Sequence, residues 1–529
     1  MPFEPRHLTM ASAGVNVTLL EAAAAFVILL AAFENRARLV SILRAPPLPL
    51  VAIAAYAGAH LLSAAFTPYH PGLAFRFALR MVAMAAFALI VAAAPEDARR
   101  RSLAALAVAA LVVAGLAIAE GTGVRGLDPF LALFRETPFN VAGARRASAG
   151  SEYPNLAAAF LMYGLLAGVG LLSRGPRRLA AAFALVVPCA CALAFTYSRG
   201  AGAATLLGLL ALAARETRRA PGRALVPLAS AAAVVVTAAA FVAGGEIFRL
   251  RLGSEGTTRW YSARYEPADR SLHLRPSERR RTTVRVTNTG RKTWSQREAF
   301  HLSYHWLQSG SGAVIEGPRT RLPQEVRPGD TALADAEVWA PERPGFYILA
   351  WDLVQEDTTW FSGQGVSPAV VPVVVGRAAD HAVTPPPEVP LELSGPLVWQ
   401  PGRSELWRLA LQLWRERPLL GVGPDNYRRL YGPRAQHAFW DMRVYANSLL
   451  LEAAATTGLV GAAALAATLL ATLWAAAVSD RRESGAVLAV AVGIAAHGLV
   501  DYMLAMTGHY LVFGLIVGAA AGATRDETS

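Results

Sequence analysis

The sequence predicts an all-α polytopic membrane protein with an all-β domain inserted into it, and three observations carry that prediction. Of the 529 residues 54% are hydrophobic and the mean hydropathy is +0.35, more apolar matter than one soluble core uses. Charged residues make up only 17% and gather in short clusters between long runs of Ala, Leu and Val. One long stretch, residues 254–380, is polar instead and alternates with the two-residue period of a strand. Together these argue against an ordinary cytosolic enzyme and exclude intrinsic disorder and fibrous repeats.

A bilayer core needs about 20 apolar residues per helix. Runs of that kind lie at 13–33, 47–66, 74–94, 103–120, 156–172, 179–196, 201–214, 225–242, 458–478, 485–503 and 510–523, about eleven spans, with 201–214 the shortest. Residues 1–10 lack the small-residue cleavage pattern of a secretory signal, so the first run is read as a retained span. The two cysteines, Cys189 and Cys191, sit two apart inside an apolar run and imply neither a disulfide framework nor a metal site.

The formal charge of +12 and the pI near 10.1 come almost entirely from arginine, much of it flanking apolar runs. Lipid headgroups and membrane orientation account for it better than nucleic acid, which is not an expected partner. Arg36, Arg38 and Arg44, then Arg99 to Arg101, Arg174 with Arg177 and Arg178, Arg215 to Arg223, and Arg481 with Arg482 fall on alternate loops. The positive-inside rule places these five loops in the cytoplasm. The expected location is the cytoplasmic (inner) membrane, multi-pass, with the 254–380 domain extracytoplasmic.

Residues 1–253 form the first part of the transmembrane core in this reading. In the inserted domain, Phe300, Leu302, Tyr304 and Trp306 fall on one strand face, and His301, Ser303 and His305 on a second, solvated face. Turn chemistry at Asn288-Thr289-Gly290, Arg327-Pro328-Gly329-Asp330 and Arg343-Pro344-Gly345 separates further strands near 282–287, 332–339 and 346–353. Short strands of this spacing indicate a sandwich of about 120 residues, immunoglobulin-like in size. Trp294, Trp306, Trp339 and Trp351 are expected to fill its core rather than form a sugar-stacking platform. The pattern Val286-Thr287-Asn288-Thr289-Gly290 with Trp294 resembles that of immunoglobulin-like modules. A Pro-rich linker, 381–400, returns the chain to 401–529, an outer motif loop followed by C-terminal spans.

Three outer-face motifs stand out: Tyr197-Ser198-Arg199-Gly200; Gly402-Arg403-Ser404-Glu405-Leu406-Trp407 with Arg417-Pro418-Leu419-Leu420-Gly421-Val422-Gly423-Pro424-Asp425-Asn426-Tyr427; and Tyr445-Ala446-Asn447-Ser448 with Gly458-Leu459-Val460-Gly461. Together they resemble the O-antigen ligase and O-antigen polymerase family of integral membrane glycosyl-transferring proteins. Pro-Leu-Leu-Gly-Val-Gly and the upstream Arg-x-x-x-Trp are the most specific pieces, and Glu152-Tyr153-Pro154-Asn155 resembles the family's Pro-Asn start of a mid-chain helix. The resemblance covers about 153–244 and 401–523, and implies transfer of saccharide from an undecaprenyl-diphosphate-linked glycan donor to a glycan or lipid acceptor. It places Ser198, Trp407, Gly421, Gly423, Asn426 and Asn447 in substrate binding, beside membrane lipids. No nucleotide, metal or other cofactor is required, because the lipid diphosphate carries the activation.

Physical chemistry points the same way. A diphosphate at a membrane face needs cations that stay charged, and guanidinium offers two parallel hydrogen bonds to phosphate oxygens. Arg199 and Arg403 share one side of the membrane by the charge pattern and are the expected grip on the leaving diphosphate. The alternative role, an interfacial anchor, weighs more for Arg408, Arg415 and Arg417. Family members usually carry a histidine beside the asparagine of the third motif as the acceptor's base; here Tyr445 and Ala446 stand there, and neither does that work near neutral pH. His437, in the same outer segment, is the expected substitute, while His497 and Asp501 lie one helical turn apart and could pair. The competing readings are a polysaccharide flippase or transporter, against which no internal repeat is found, and a catalytically silent glycan-binding relative.

Overall fold

A computed structural model describes residues 9–12, 15–135, 139–141, 144–173, 178–245, 247–249, 259–308, 314–356, 359–376, 401–436 and 440–522. His437 and the linker 381–400 lie outside the described residues. The helices are α1 (Leu19–Glu34), α2 (Arg36–Arg44), α3 (Leu48–Phe66), α4 (Pro71–Ala93), α5 (Glu96–Gly121), α6 (Leu127–Leu131), α7 (Pro154–Leu172), α8 (Arg178–Thr196), α9 (Arg199–Arg219) and α10 (Leu225–Gly244). After the β domain follow α11 (Arg403–Glu416), α12 (Tyr427–Arg434), α13 (Leu449–Val478), α14 (Ser484–Gly498) and α15 (Thr507–Gly522).

Each of the eleven expected runs is helical in whole or in large part, but among the described residues seven helices are both long and apolar enough to cross a membrane: α3, α4, α5, α7, α8, α10 with its lead-in turn, and α13. Of the rest, α1, α14 and α15 have 16, 15 and 16 residues. At about 1.5 Å per residue these fall short of a hydrocarbon core of about 30 Å. Helix α9 is longer, at 21 residues, but ends in the cluster Arg215, Glu216, Arg218 and Arg219.

Proline starts several of these helices, as at Pro71 and Pro154, where its missing N–H costs no helical bond. Helix α7 is central, buried from Leu156 to Gly170 among α5, α8, α9 and α14. Small residues set its distances: Gly164 faces Ala110 and the Leu106 carbonyl of α5, and Gly208 of α9 faces the Ala489 carbonyl of α14. Such close backbone approach is how helices gain dispersion energy where lipid and side chains are equally apolar.

Strands β1 (Thr9–Ser12) with β2 (Val15–Thr18) and β3 (Phe139–Val141) with β4 (Ala144–Arg146) form two hairpins outside the inserted domain. The domain itself has a three-stranded sheet of β5 (Ala263–Pro267), β7 (Arg279–Asn288) and β11 (Thr331–Trp339). Its second sheet has the order β10 (Thr320–Arg321), β8 (Phe300–Gln308), β12 (Gly345–Gln355), β14 (Ala369–Val375) and β6 (Leu272–Leu274). To this, β9 (Val314–Glu316) adds on β8 and β13 (Thr359–Trp360) on β12. One core joins the sheets, with Val284, Val286, Ala334 and Ala336 facing Tyr304, Trp306 and Trp351. Asn288 is buried and fixes its turn, donating to the Lys292 and Val326 carbonyls at 2.8 and 3.0 Å while accepting from Gly290 N at 3.0 Å.

Two expectations for this domain need correction. Trp339 does not fill the core: Ala332, Ala334, Ala336 and Val338 take the inward positions of β11, so the period of two leaves Trp339 outside, 44% exposed beneath the Arg279 guanidinium. The second face of β8 is not solvated either. Ser303 and His305 are buried, and the Trp360 ring covers His305 at a centroid distance of 4.2 Å.

Candidate functional site

The described loops of the arginine-rich set meet at one end of the bundle. Arg99 donates to Glu483 at 2.8 Å, Arg481 lies 3.4 Å from Glu96, and Arg215 and Arg219 both donate to the Ser479 carbonyl. The three sequence motifs meet at the opposite end.

Buried acids, Glu120, Asp425, Glu452 and Asp501, organise that opposite end. Glu120, in the last turn of α5, accepts from the backbone of Ser148 and Ala149 at 2.9 Å each and pairs with Arg135. This folds the α6–α7 connection inward and delivers Arg146 to the exit of α8, where its Nε donates to the Thr196 carbonyl at 3.0 Å. Arg146 Nη2 also donates to Asn155 Oδ1 at 2.9 Å, and Asn155 Nδ2 donates to Asp501 Oδ2 at 2.7 Å. Asp501 in turn stands 3.7 Å from His497 Nε2, so the pair anticipated from its spacing forms. His497 Nδ1 is buried and has no hydrogen-bond partner among the described residues.

Tyr197 has a left-handed φ of 53°, which turns the chain sharply so that α9 starts at Arg199. Gly200 then lies against the His497 ring and Val500, where a Cβ would stand 3.3 and 2.8 Å from them. From the other side α11 arrives with an apolar face of Leu406, Leu409, Ala410 and Leu413 buried. Arg403 begins this helix, half-buried, and its charge acts on His497. It makes no hydrogen bond or ion pair with any described residue. By contrast Arg408 pairs with Glu405, Arg428 with Asp425, Arg434 with Glu416 and Arg443 with Asp441. Arg415 and Arg417 lie at the far end of α11, about 20 Å along the helix axis from Arg403.

Trp407 is one turn from Arg403 on the same helical face, and its indole donates to the Asn447 carbonyl at 3.3 Å. The second and third motifs therefore touch. Tyr445 donates to Asp425 at 3.3 Å, and burial first, then the neighbouring Asp425, raises its phenol well above the ordinary value. It stays protonated and is no base.

Gly421, Gly423 and Asn426 contact the protein's own backbone. Val422 N donates to the Ala455 carbonyl and Gly423 N to the Thr456 carbonyl, both at 2.9 Å, beside a break in α13 at Gly458 (φ 66°, ψ −163°). Gly421 (φ 67°) lets the chain pass against the Thr456 backbone, where a Cβ would collide. Asn426 donates to the Tyr69 and Val422 carbonyls at 2.5 and 2.9 Å. Ser198 and Arg199 instead edge a cavity of about 360 Å³ between α8, α9 and α10, walled by Leu193, Leu206, Val234 and Val242. Among the described residues no group of three or more His, Cys, Asp or Glu side chains is placed to hold a metal ion.

Glu120, Arg146 and Asn155 were not among the residues expected here. The available signals were an acid closing an apolar run and the Pro154-Asn155 dipeptide. No protein-family model matches the chain, and no curated protein matches it.

Proposed function

We propose that this protein is a membrane glycan ligase or polymerase of the O-antigen ligase and polymerase type. It transfers saccharide from a polyprenyl-diphosphate carrier to a glycan or lipid acceptor on the outer side of the cytoplasmic membrane. The observation that carries this reading is Arg403, a half-buried guanidinium with no counter-ion among the described residues, acting on a histidine that also touches the Arg199-Gly200 turn. A buried or half-buried cation left unpaired is a site for an anion from outside.

In this mechanism Arg403 and Arg199 hold the diphosphate, and the apolar cavity beside Ser198 and Arg199 takes part of the isoprenoid chain. An acceptor hydroxyl attacks the anomeric carbon, forming the new C–O bond as the bond to the phosphate oxygen breaks. The electron pair leaves on the lipid diphosphate, whose charge the arginines stabilise. In this proposal the hydroxyl proton passes to the buried His497 ring, and Asp501, 3.7 Å from its Nε2 and oriented by Asn155, stabilises the resulting imidazolium. This assigns to His497 the base role expected of His437.

The flippase reading draws on the break in α13, since interrupted helices line transport sites. Here the break is filled by protein: Leu459 N donates to the Pro418 carbonyl and Val460 N to the Leu419 carbonyl. The inserted domain fits an immunoglobulin-like sandwich, with its two sheets, one core and Asn288 turn, and in this reading it stands on the outer face. The test is reconstitution in liposomes with an undecaprenyl-diphosphate-linked saccharide and an acceptor, without nucleotide. Glycosylated acceptor with equimolar release of lipid diphosphate is expected. Donor that crosses the bilayer without transfer would make the protein a flippase.

A further inference from the structure

The arginine-rich end holds a cavity of about 920 Å³ that the proposed reaction does not use. It opens between α2, the α4–α5 turn and the α13–α14 loop, and five arginines line it: Arg38, Arg99, Arg100, Arg481 and Arg482. Glu96 and Asp97 are the acids in the same lining. Arg99 is committed to Glu483, and Arg481 stands 3.4 Å from Glu96. Arg100 is only 3.8 Å from the exposed Asp97, and its buried Nε lacks a hydrogen-bond partner among the described residues. Arg38 and Arg482 are exposed and make no hydrogen bond or ion pair with any described residue. Among the described lining residues, guanidinium groups therefore outnumber acids, and Arg38 and Arg482 have no described partner.

Its wall indicates the source of the anion. Helix α2 lines the cavity with Arg38, Ser41 and the buried Ile42, while Val40 and Leu43 of the same helix are 50% and 62% exposed. Apolar side chains left open beside a basic cavity suit a molecule that is phosphate at one end and hydrocarbon at the other. We propose that this cavity binds the headgroup of an anionic phospholipid, with Arg38, Arg100 and Arg482 on its phosphate oxygens and the acyl chains along Val40 and Leu43. A free phosphate ion shares the headgroup chemistry but makes no use of the apolar rim.

The test titrates the purified full-length protein in detergent with cardiolipin, phosphatidylglycerol, phosphatidylcholine or inorganic phosphate, and follows thermal stability and lipid retention by native mass spectrometry. Cardiolipin and phosphatidylglycerol should raise the melting temperature and remain bound; phosphatidylcholine should do neither. Arg38→Gln with Arg482→Gln should weaken anionic-lipid binding roughly thirtyfold, taking each surface arginine at its usual worth. Both side chains are exposed, so the variant should fold, which its melting temperature without lipid checks. Arg275→Gln on the inserted domain should bind as wild type. Equal binding by the double variant would overturn the proposal. Inorganic phosphate that stabilises as strongly as lipid, or displaces it, would overturn the lipid assignment in favour of a soluble anion.

Discussion

The two ends of the helical bundle use the same residue for different ends. At one end arginines fasten loops: Arg99 pairs with buried Glu483, Arg219 with Asp480, and buried Arg215 donates to the Ser479 carbonyl. At the other, Arg146 holds Asn155, Asn155 holds Asp501, and Arg403 holds nothing among the described residues. Arginine count does not separate the ends. What separates them is which guanidinium groups have a carboxylate of their own among the described residues, and whether the others face solvent, as Arg38 does, or a buried histidine, as Arg403 does.

The largest effect should come from breaking a buried fastening. Arg99→Ala leaves the Glu483 carboxylate buried and unpaired, which costs about 3–5 kcal/mol. Folded, membrane-inserted protein should fall steeply, while any molecules that fold should transfer glycan normally. A well-inserted Arg99→Ala protein that is inactive would move chemistry to the wrong end.

Next in size is the histidine. His497→Gln should insert normally yet lose on the order of a hundredfold or more in transfer rate, the scale of a general base. His437→Ala should stay near the wild-type rate. Reversal of the two results in a transfer assay would restore His437 as the base and reduce the His497–Asp501 pair to a packing role.

The smallest effect concerns the inserted domain, whose buried charges face neither end. Burial lowers His305 to about 4 and pushes Asp352 up to about 7, the two groups lying 3.9 Å apart. As pH falls from about 6.5 to 4 the unfolded chain takes up the His305 proton before the folded one does, so stability is lost. Over the same range the folded Asp352 takes up its proton first, so stability is gained. The changes oppose, and wild type should vary by less than about 1 kcal/mol from this pair. Asp352→Asn removes the gain, leaving a loss on the order of 2 kcal/mol toward pH 4. Denaturation followed through the buried Trp294, Trp306 and Trp351 would show it.

Apolar run length was enough to locate the apolar helices, but not the amphipathic α11, which lies in the stretch read as an outer loop; two-residue alternation located β8 and β12. Trp339 was misplaced for want of one residue of register, and His305 because a strand pattern does not say whether a second layer, here Trp360, will cover its polar face. The site was harder to read. Arg199 and Arg403 were legible as cations beside apolar sequence, but their common neighbour His497 comes from contacts between residues some 300 positions apart at Gly200. The roles of Gly421 and Gly423 were hidden for the same reason, since the α13 break they fit is a backbone feature with no side-chain pattern of its own.

The most direct test of the motif-end assignment is the transfer rate of Arg403→Lys and Arg199→Lys in liposomes, with insertion verified by thiol labelling of a cysteine placed in the inserted domain. Lysine keeps the charge but not the two-pronged contact. Each variant should insert fully and lose about 2–4 kcal/mol of transition-state stabilisation, on the order of a hundredfold in rate, while Arg275→Lys on the domain surface transfers as wild type. Wild-type rates in both correctly inserted variants would contradict a diphosphate held at this end of the bundle.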